Sequence, residues 1–243
     1  MRIPLSSTKA VRRAALKAAF PHTLPILTGY LFLGASYGIL SSLAYRFPWY
    51  FPALASVCVY AGSMQFVSLE LLAGPFLPLH ALMMTLMVNA RHLFYGLTML
   101  DKYKPLRHRK GYLIFGLTDE TFSLNVTLEP PMDVDRNWFM YYITLLDQCY
   151  WVTGATLGGI FGSLIHLEVK GLEFVMTALL LVIFLENWMK ETRHTSSLLG
   201  LGLTALSLAL FGPANNLFII PAMAAIIAAL ALLRRPLEGG EAQ

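Results

Sequence analysis

The chain has 243 residues, 56% of them hydrophobic and 13% charged, about half the charged share of an ordinary soluble domain, and its mean hydropathy is +0.60. This composition excludes a water-soluble globule, because so many exposed Leu, Phe, Met and Ala side chains would aggregate. The net charge of +4 does not point to nucleic acid, because the basic residues sit between hydrophobic runs, where cytoplasmic loops meet anionic headgroups.

In chain order, Lys9, Arg12, Arg13 and Lys17 precede a hydrophobic stretch too long for a secretory signal and without a clear cleavage site. Residues 1–21 therefore read as a basic cytoplasmic arm. Apolar stretches near the roughly 20 residues a span requires follow at about 22–45, 50–73, 76–100, 137–165, 171–189, 195–212 and 214–233. An eighth, 111–128, is weaker because it holds two acids. The connections are short and rich in Pro, Gly or charge, such as Pro48 and Pro52, Gly74-Pro75 and Pro130-Pro131. Continuous apolar runs exclude a β-barrel. The expected fold is all-α, a polytopic integral membrane protein with about seven or eight transmembrane helices. Its parts are a transporter core over 22–189, a C-terminal helical hairpin over 190–235 and a tail over 236–243.

Orientation is less direct. Basic clusters stand in the N-terminal arm, at Lys102 to Lys110, at Lys190 with Arg193, and at Arg234 with Arg235. Positive charge favours the cytoplasm, yet three apolar stretches separate the first cluster from the second and three more the second from the third. Either one stretch in each triplet is re-entrant or broken, or a cluster lies outside. The run Tyr60-Ala61-Gly62-Ser63-Met64-Gln65 is a candidate break. The two triplets also suit inverted three-helix repeats, a common transporter plan. The last stretches, 195–233, carry almost nothing ionisable before the closing Arg pair beyond Asn215-Asn216, and read as a packing hairpin.

Ionisable residues at membrane depth usually face a cavity or partner. Arg91 and His92 lie about ten residues before the basic loop, and Asp119 and Glu120 about nine after it, so both stand roughly 13 Å from it along their helices. In an antiparallel hairpin Arg91 would meet the acids, either as a structural ion pair or as a group handling substrate or protons. Asn89, His92 and Gly96 share one helical face, with Arg91, Tyr95 and Thr98 on the next. Asp147 lies mid-span, as a proton-carrying, ammonium-binding or structural carboxylate. Glu70 and Glu186, nearer helix ends, read as structural or interfacial. Gln65 either bonds another helix or, with a break at Gly62, joins freed backbone groups in holding a zwitterion.

Gly34 with Gly38, and Gly154 with Gly158 and Gly162, repeat at close-packing intervals and read as static helix seams. Cys58 and Cys149 read as two buried small hydrophobes rather than a disulfide. No phosphate-binding P-loop, HExxH or Cys/His cluster is present, so neither catalytic residues, a metal nor a cofactor is expected.

Four blocks in order, AGSMQF, VNARHLFYG, LTDET and a later GLEF, resemble the azaleucine-resistance (AzlC) family, large subunits of bacterial branched-chain amino acid exporters. The resemblance runs from about Pro25 to Leu185. It implies export of leucine, isoleucine, valine and methionine across the bacterial inner membrane, with a small hydrophobic AzlD-type subunit as partner. The matching positions are Ala61, Gly62, Gln65, Asn89, Arg91, His92, Thr118, Asp119, Glu120 and Thr121. On physical grounds Gly62, Gln65, Asn89, Arg91 and His92 are the substrate-binding candidates, and Asp119, Glu120 and Asp147 the proton-coupling or ammonium-binding ones. Two rivals remain at this level: a carrier or channel for another small solute, and a non-transporting membrane scaffold, which would need no midplane charge.

Overall fold

A computed structural model describes residues 8–75, 77–164 and 194–212, with positions 181, 184, 185, 188, 189 and 225 besides. Every element among these residues is helical. The chain divides into two compact units, 1–172 and 173–243.

Three long helices frame the first unit: α1 (Thr8–Ile39, prolonged by a π-turn over Leu40–Ala44), α4 (Pro78–Tyr103) and α7 (Arg136–Leu164). At 1.5 Å per residue they are about 48, 39 and 43 Å long, against a hydrocarbon core of about 30 Å. By length and composition Lys9–Ala44 can cross a bilayer. Between the long helices lie four short ones: α2 (Phe51–Cys58), α3 (Gly62–Ala73), α5 (Lys110–Phe115) and α6 (Asp119–Thr127). At about 9 to 18 Å each, none of these spans alone.

The glycines seat α1 on α7. A Cβ on Gly34 would stand 2.8 Å from the Trp151 carbonyl oxygen, and one on Gly154 would stand 2.7 Å from that of Leu31. Side chains on Gly38 and Gly158 would fall on the backbones of Ala155 and Ala35. The two backbones are in direct contact, as small residues every fourth position permit. Contacts advance in the same sense on both helices: Ala19 packs with Phe139 and Ile143, Thr23 bonds Tyr150, and Gly162 meets Ile39. Thus α1 and α7 run parallel.

Both short pairs turn back. Helix α2 starts beside the far end of α7, where Pro52 and Trp49 meet Gly159, and descends until Gln148 Nε2–H donates to the Val57 carbonyl. Tyr60, in the left-handed region (φ 46), ends it, at a cost of roughly 1–2 kcal/mol for a residue with a Cβ. Helix α3 then climbs, from Gly62 against Trp151 to Phe66 edge-on to Tyr37. Helix α5 rises from the opposite end, from Arg109 over the Trp138 ring to Gly116 against the Thr144 side chain. Helix α6 descends again to Lys102, whose Nζ–H donates to the Val126 carbonyl at 2.7 Å. The chain is therefore a long helix and a re-entrant hairpin (8–73), followed by an antiparallel long helix and an oppositely directed hairpin (78–127).

Several expectations change accordingly. The break expected near Gly62 is present and the 50–73 stretch turns back there, in line with the re-entrant alternative that the basic clusters raised; 111–128 turns back as well. The inverted triplets do not hold in the expected register. The first is long–hairpin–long, whereas the second opens on a hairpin; the inversion joins 8–73 to 78–127 instead. The N-terminal arm is helical from Thr8, and its Arg12 stacks over Trp138 at 4.4 Å, as does Arg109 of the basic loop at 3.3 Å. Both of these basic clusters thus share one end, because two antiparallel long helices and one returning hairpin lie between them. Cys58 and Cys149 are free, as expected, but exposed; their apolar neighbours in sequence mark an outward face as readily as a core.

In the second unit the described helix is α8 (Thr195–Phe211), apolar throughout and ended by Gly212 at φ 70. Glu186, the GLEF block and the stretches expected at 171–189 and 214–233 fall mostly or wholly outside the described residues.

Candidate functional site

The two hairpin tips meet near the middle of α4 and α7 and past the middle of α1, and each long helix sends side chains to hold them. From α4, Arg91 pairs with Asp119 at 2.5 Å and donates through Nη2 to Ser63 Oγ at 3.2 Å. One guanidinium therefore clasps the first turns of α3 and α6 together, a use suited to its planar fork of donors. From α1, the Tyr30 hydroxyl donates to Glu120 Oε2 at 2.6 Å and lies 2.7 Å from Thr118 Oγ1. From α7, Trp151 Nε1–H donates to Gln65 Oε1 at 2.9 Å, and Gln65 Nε2–H in turn reaches Ser56 Oγ at 3.1 Å.

Local sequence explains why the chain breaks here. At the second tip Thr118 caps α6, accepting from the Thr121 N–H at 3.3 Å, and Asp119 and Glu120 occupy the first turn, where carboxylates suit the helix dipole. At the first tip no side chain caps α3. Its opening N–H groups keep the partial positive charge that favours an anion.

Beside the tips a cavity of about 310 Å³ is lined by Val59, Tyr60, Ala61, Asn89, His92, Gly96, Ile114, Phe115 and Leu117. Its walls come from both hairpins and from α4. Aliphatic and aromatic groups make most of the lining, with Asn89 and His92 as the polar exceptions. Such a chamber suits an apolar side chain fixed by a few polar groups.

The expected residues distribute as follows. Asn89, His92 and Gly96 share the cavity wall, as their spacing requires. Arg91 and Asp119 form the ion pair anticipated from matched depth; each side chain is about one-third exposed, 31% and 34%, so a solute can reach them. Glu120 is held by Tyr30. Asp147, fully buried, accepts from Thr121 Oγ1 at 3.0 Å. Gly62 packs under the Trp151 ring. Gln65 is buried between Trp151 and Ser56 and serves as a staple inside the first hairpin, away from the cavity lining. Tyr95 stacks on Phe122 at 4.2 Å, whereas Thr98 is exposed and bonds its own helix. Glu70 is exposed near the end of α3.

Sequence reasoning missed Tyr30, Tyr60, Trp151 and Ser63. An aromatic residue within an apolar run reads as packing, and only the fold shows which of these bring a polar atom to the junction. The positive φ of Tyr60 likewise has no sequence signal, since glycine is the usual residue there.

The AzlC protein family matches residues 25–165 of this chain, which includes both hairpins and all three long helices except the first half of α1 (8–24). A branched-chain amino acid transport protein, AzlC, of Bacillus subtilis is 55% identical over 94% of this chain and 89% of its own length. An uncharacterized membrane protein of Haemophilus influenzae is 44% identical over 87% of this chain and 86% of its own. One from Helicobacter pylori is 40% identical over 92% and 97%. No solved structure matches.

Proposed function

This chain belongs to the AzlC family of membrane proteins, and on that footing we propose that it exports branched-chain amino acids from the bacterial cytoplasm, driven by the proton gradient. The observation that carries this reading is the junction itself: two opposed hairpin tips, clasped by Arg91 beside a largely apolar cavity. The substrate's aliphatic side chain enters the cavity among Val59, Ile114, Phe115 and Leu117. Its carboxylate takes Arg91 and the uncapped start of α3, and its ammonium takes Asp119. The Arg91–Asp119 pair is then the empty state of a zwitterion site, each partner standing in for one end of the amino acid. Opening the pair loosens the clasp on both tips, so binding is coupled to hairpin movement. A carboxylate among Asp119, Glu120 and Asp147 carries the proton.

The four sequence blocks shared with the exporter subunits support the outward direction and the small AzlD-type partner. The relative named for branched-chain amino acid transport supports the substrate class. The two basic clusters at one end of the molecule support the bacterial inner membrane with that end in the cytoplasm.

Release of preloaded labelled leucine tests the reading, from cells making this chain with and without an AzlD-type subunit, and with and without a protonophore. We expect faster release that needs the subunit and fails when the gradient collapses. In the same cells, tags at the N-terminus and after Lys104 should both be sheltered from external protease. No acceleration, with the protein present in the membrane, overturns the substrate assignment and leaves the fold standing. Suppression of release by an unrelated organic acid would favour a different solute.

A further inference from the structure

The junction contains a linear run of oxygen atoms that the substrate site does not use. Glu120 Oε2 lies 2.6 Å from the Tyr30 hydroxyl, which lies 2.7 Å from Thr118 Oγ1. Thr118 Oγ1 lies 3.0 Å from Thr121 Oγ1, which lies 3.0 Å from Asp147 Oδ2. The run joins α1, the second hairpin tip and α7; Tyr30 is 5% exposed, Thr121 and Asp147 are fully buried, and Thr118 is partly buried.

Counting protons along it is decisive. A continuous run needs one proton in each of its four links. Each hydroxyl carries one proton, whichever way it turns, and the three hydroxyls therefore supply three. If both end carboxyls were ionised, one of the four short contacts would join two oxygens with no proton between them. A single carboxyl proton, on Glu120 or on Asp147, completes the set. A second observation agrees. Asp147 Oδ1 is buried with no hydrogen-bond partner among the described residues, a costly setting for a carboxylate and a tolerable one for a carboxylic acid.

We propose that Glu120 and Asp147 share one proton, and that Tyr30, Thr118 and Thr121 relay it between them. With the proton on Asp147, it passes to Thr121 Oγ1 as the Thr121 proton passes to Thr118. The Thr118 proton passes to the Tyr30 oxygen, and the Tyr30 proton to Glu120 Oε2. Every hydroxyl oxygen gains one proton and loses one, and the negative charge moves from Glu120 to Asp147. The same hops in reverse return it, and the three hydroxyls must rotate before a second proton can follow in the same direction. Facing the run are Arg91 and Asp119 beside Glu120, and Tyr60 and Tyr112 beside Asp147; Arg91 is already matched by Asp119. Tyr60 also lines the cavity and lies near both ends of the run, and the Glu120 end lies next to the clasp. The inference rests on the proton-coupled reading above and names its path. Tyr30 touches no substrate in this scheme.

The test uses the full-length protein in vesicles holding a pH-sensitive dye, with the small subunit wherever wild-type transport requires it. Two signals are read: proton movement driven by a leucine gradient, and counterflow of labelled leucine at equal pH. Tyr30→Phe keeps the ring and Thr121→Val keeps the shape, and each removes two links. Each should lower proton movement about tenfold or more while counterflow stays within about twofold. Thr121→Val carries the test alone if Tyr30→Phe does not fold. Proton movement that is unchanged, or that falls only in step with counterflow, overturns the relay and makes the run structural. Counterflow with no proton movement in the wild type overturns the coupled reading itself, and the relay with it.

Discussion

The α1–α7 seam and the junction of the hairpin tips lie side by side in the same unit, yet they are held in opposite ways. Along the seam, backbone touches backbone through Gly34, Gly38, Gly154, Gly158 and Gly162, with no side chain to rearrange. At the junction, long polar side chains reach across from separate helices and meet end to end. A backbone seam of this kind has one good arrangement, because close packing falls off steeply with separation. A clasp of hydrogen bonds and one ion pair has several, because each partner can be exchanged for water or for a solute. On the proposed reading the seam is the fixed frame and the junction the part that moves.

The largest effect should come from breaking the frame. A Leu at Gly158 would drive its Cβ into the Ala35 backbone, which cannot yield as a flexible side chain would. Overpacking typically costs about 1–3 kcal/mol where neighbours can shift, and here they cannot. Gly158→Leu should therefore remove folded protein from the membrane, seen as loss of a monodisperse peak after detergent extraction. A Gly158→Leu protein that extracts like the wild type would mean that α1 and α7 separate readily, and the distinction drawn here would fail.

Breaking the clasp should instead spare the fold. Asp119→Asn keeps the shape of the first turn of α6 and removes the charge opposite Arg91, which is about one-third exposed and can be hydrated. Leucine export should fall about tenfold or more, with the amount of protein in the membrane nearly unchanged. Arg91→Lys should give a partial loss, since an ammonium reaches Asp119 or Ser63 but does not hold both. Normal export by Asp119→Asn would remove the zwitterion assignment.

The same contrast explains what could be read in advance. The seam was legible because its glycines recur every fourth residue, a local signal with a direct steric meaning. The Arg91–Asp119 pair was legible because each residue stands a similar number of positions from one basic loop, so depth could be counted along the helices. The break before Gly62 showed as a polar run in an apolar stretch. The basic clusters raised a re-entrant stretch in each triplet as one alternative, with 50–73 the candidate, but left the choice open and did not single out 111–128, because side-chain pattern is the same for a helix that crosses and for two half-helices that return. Tyr30 was hidden for a related reason. Nothing in GYLFLG marks a hydroxyl that meets Thr118 and Glu120, residues some 90 positions away in sequence. The faces of Cys58 and Cys149 were misjudged because, where lipid is the solvent, apolar sequence no longer separates inside from outside.

The smallest effect provides the sharpest contrast, because it uses the same residue type as the largest. Gly96 lies on α4 in the cavity wall, and a Cβ there would meet nothing within 4 Å. Gly96→Ala should leave extraction and thermal stability unchanged or slightly improved, since alanine favours a helix over glycine by up to about 1 kcal/mol. The added methyl projects into the chamber that receives the substrate's side chain. Its consequence should therefore appear in selectivity: the KM for leucine should rise a few-fold, by less than the roughly tenfold that 1.4 kcal/mol represents, and the KM for the smaller valine should rise less. Equal changes for both solutes would mean that the side chain does not enter at Gly96. A shift for leucine alone, on an unchanged fold, would separate the glycine that makes room for the substrate from those that hold the frame.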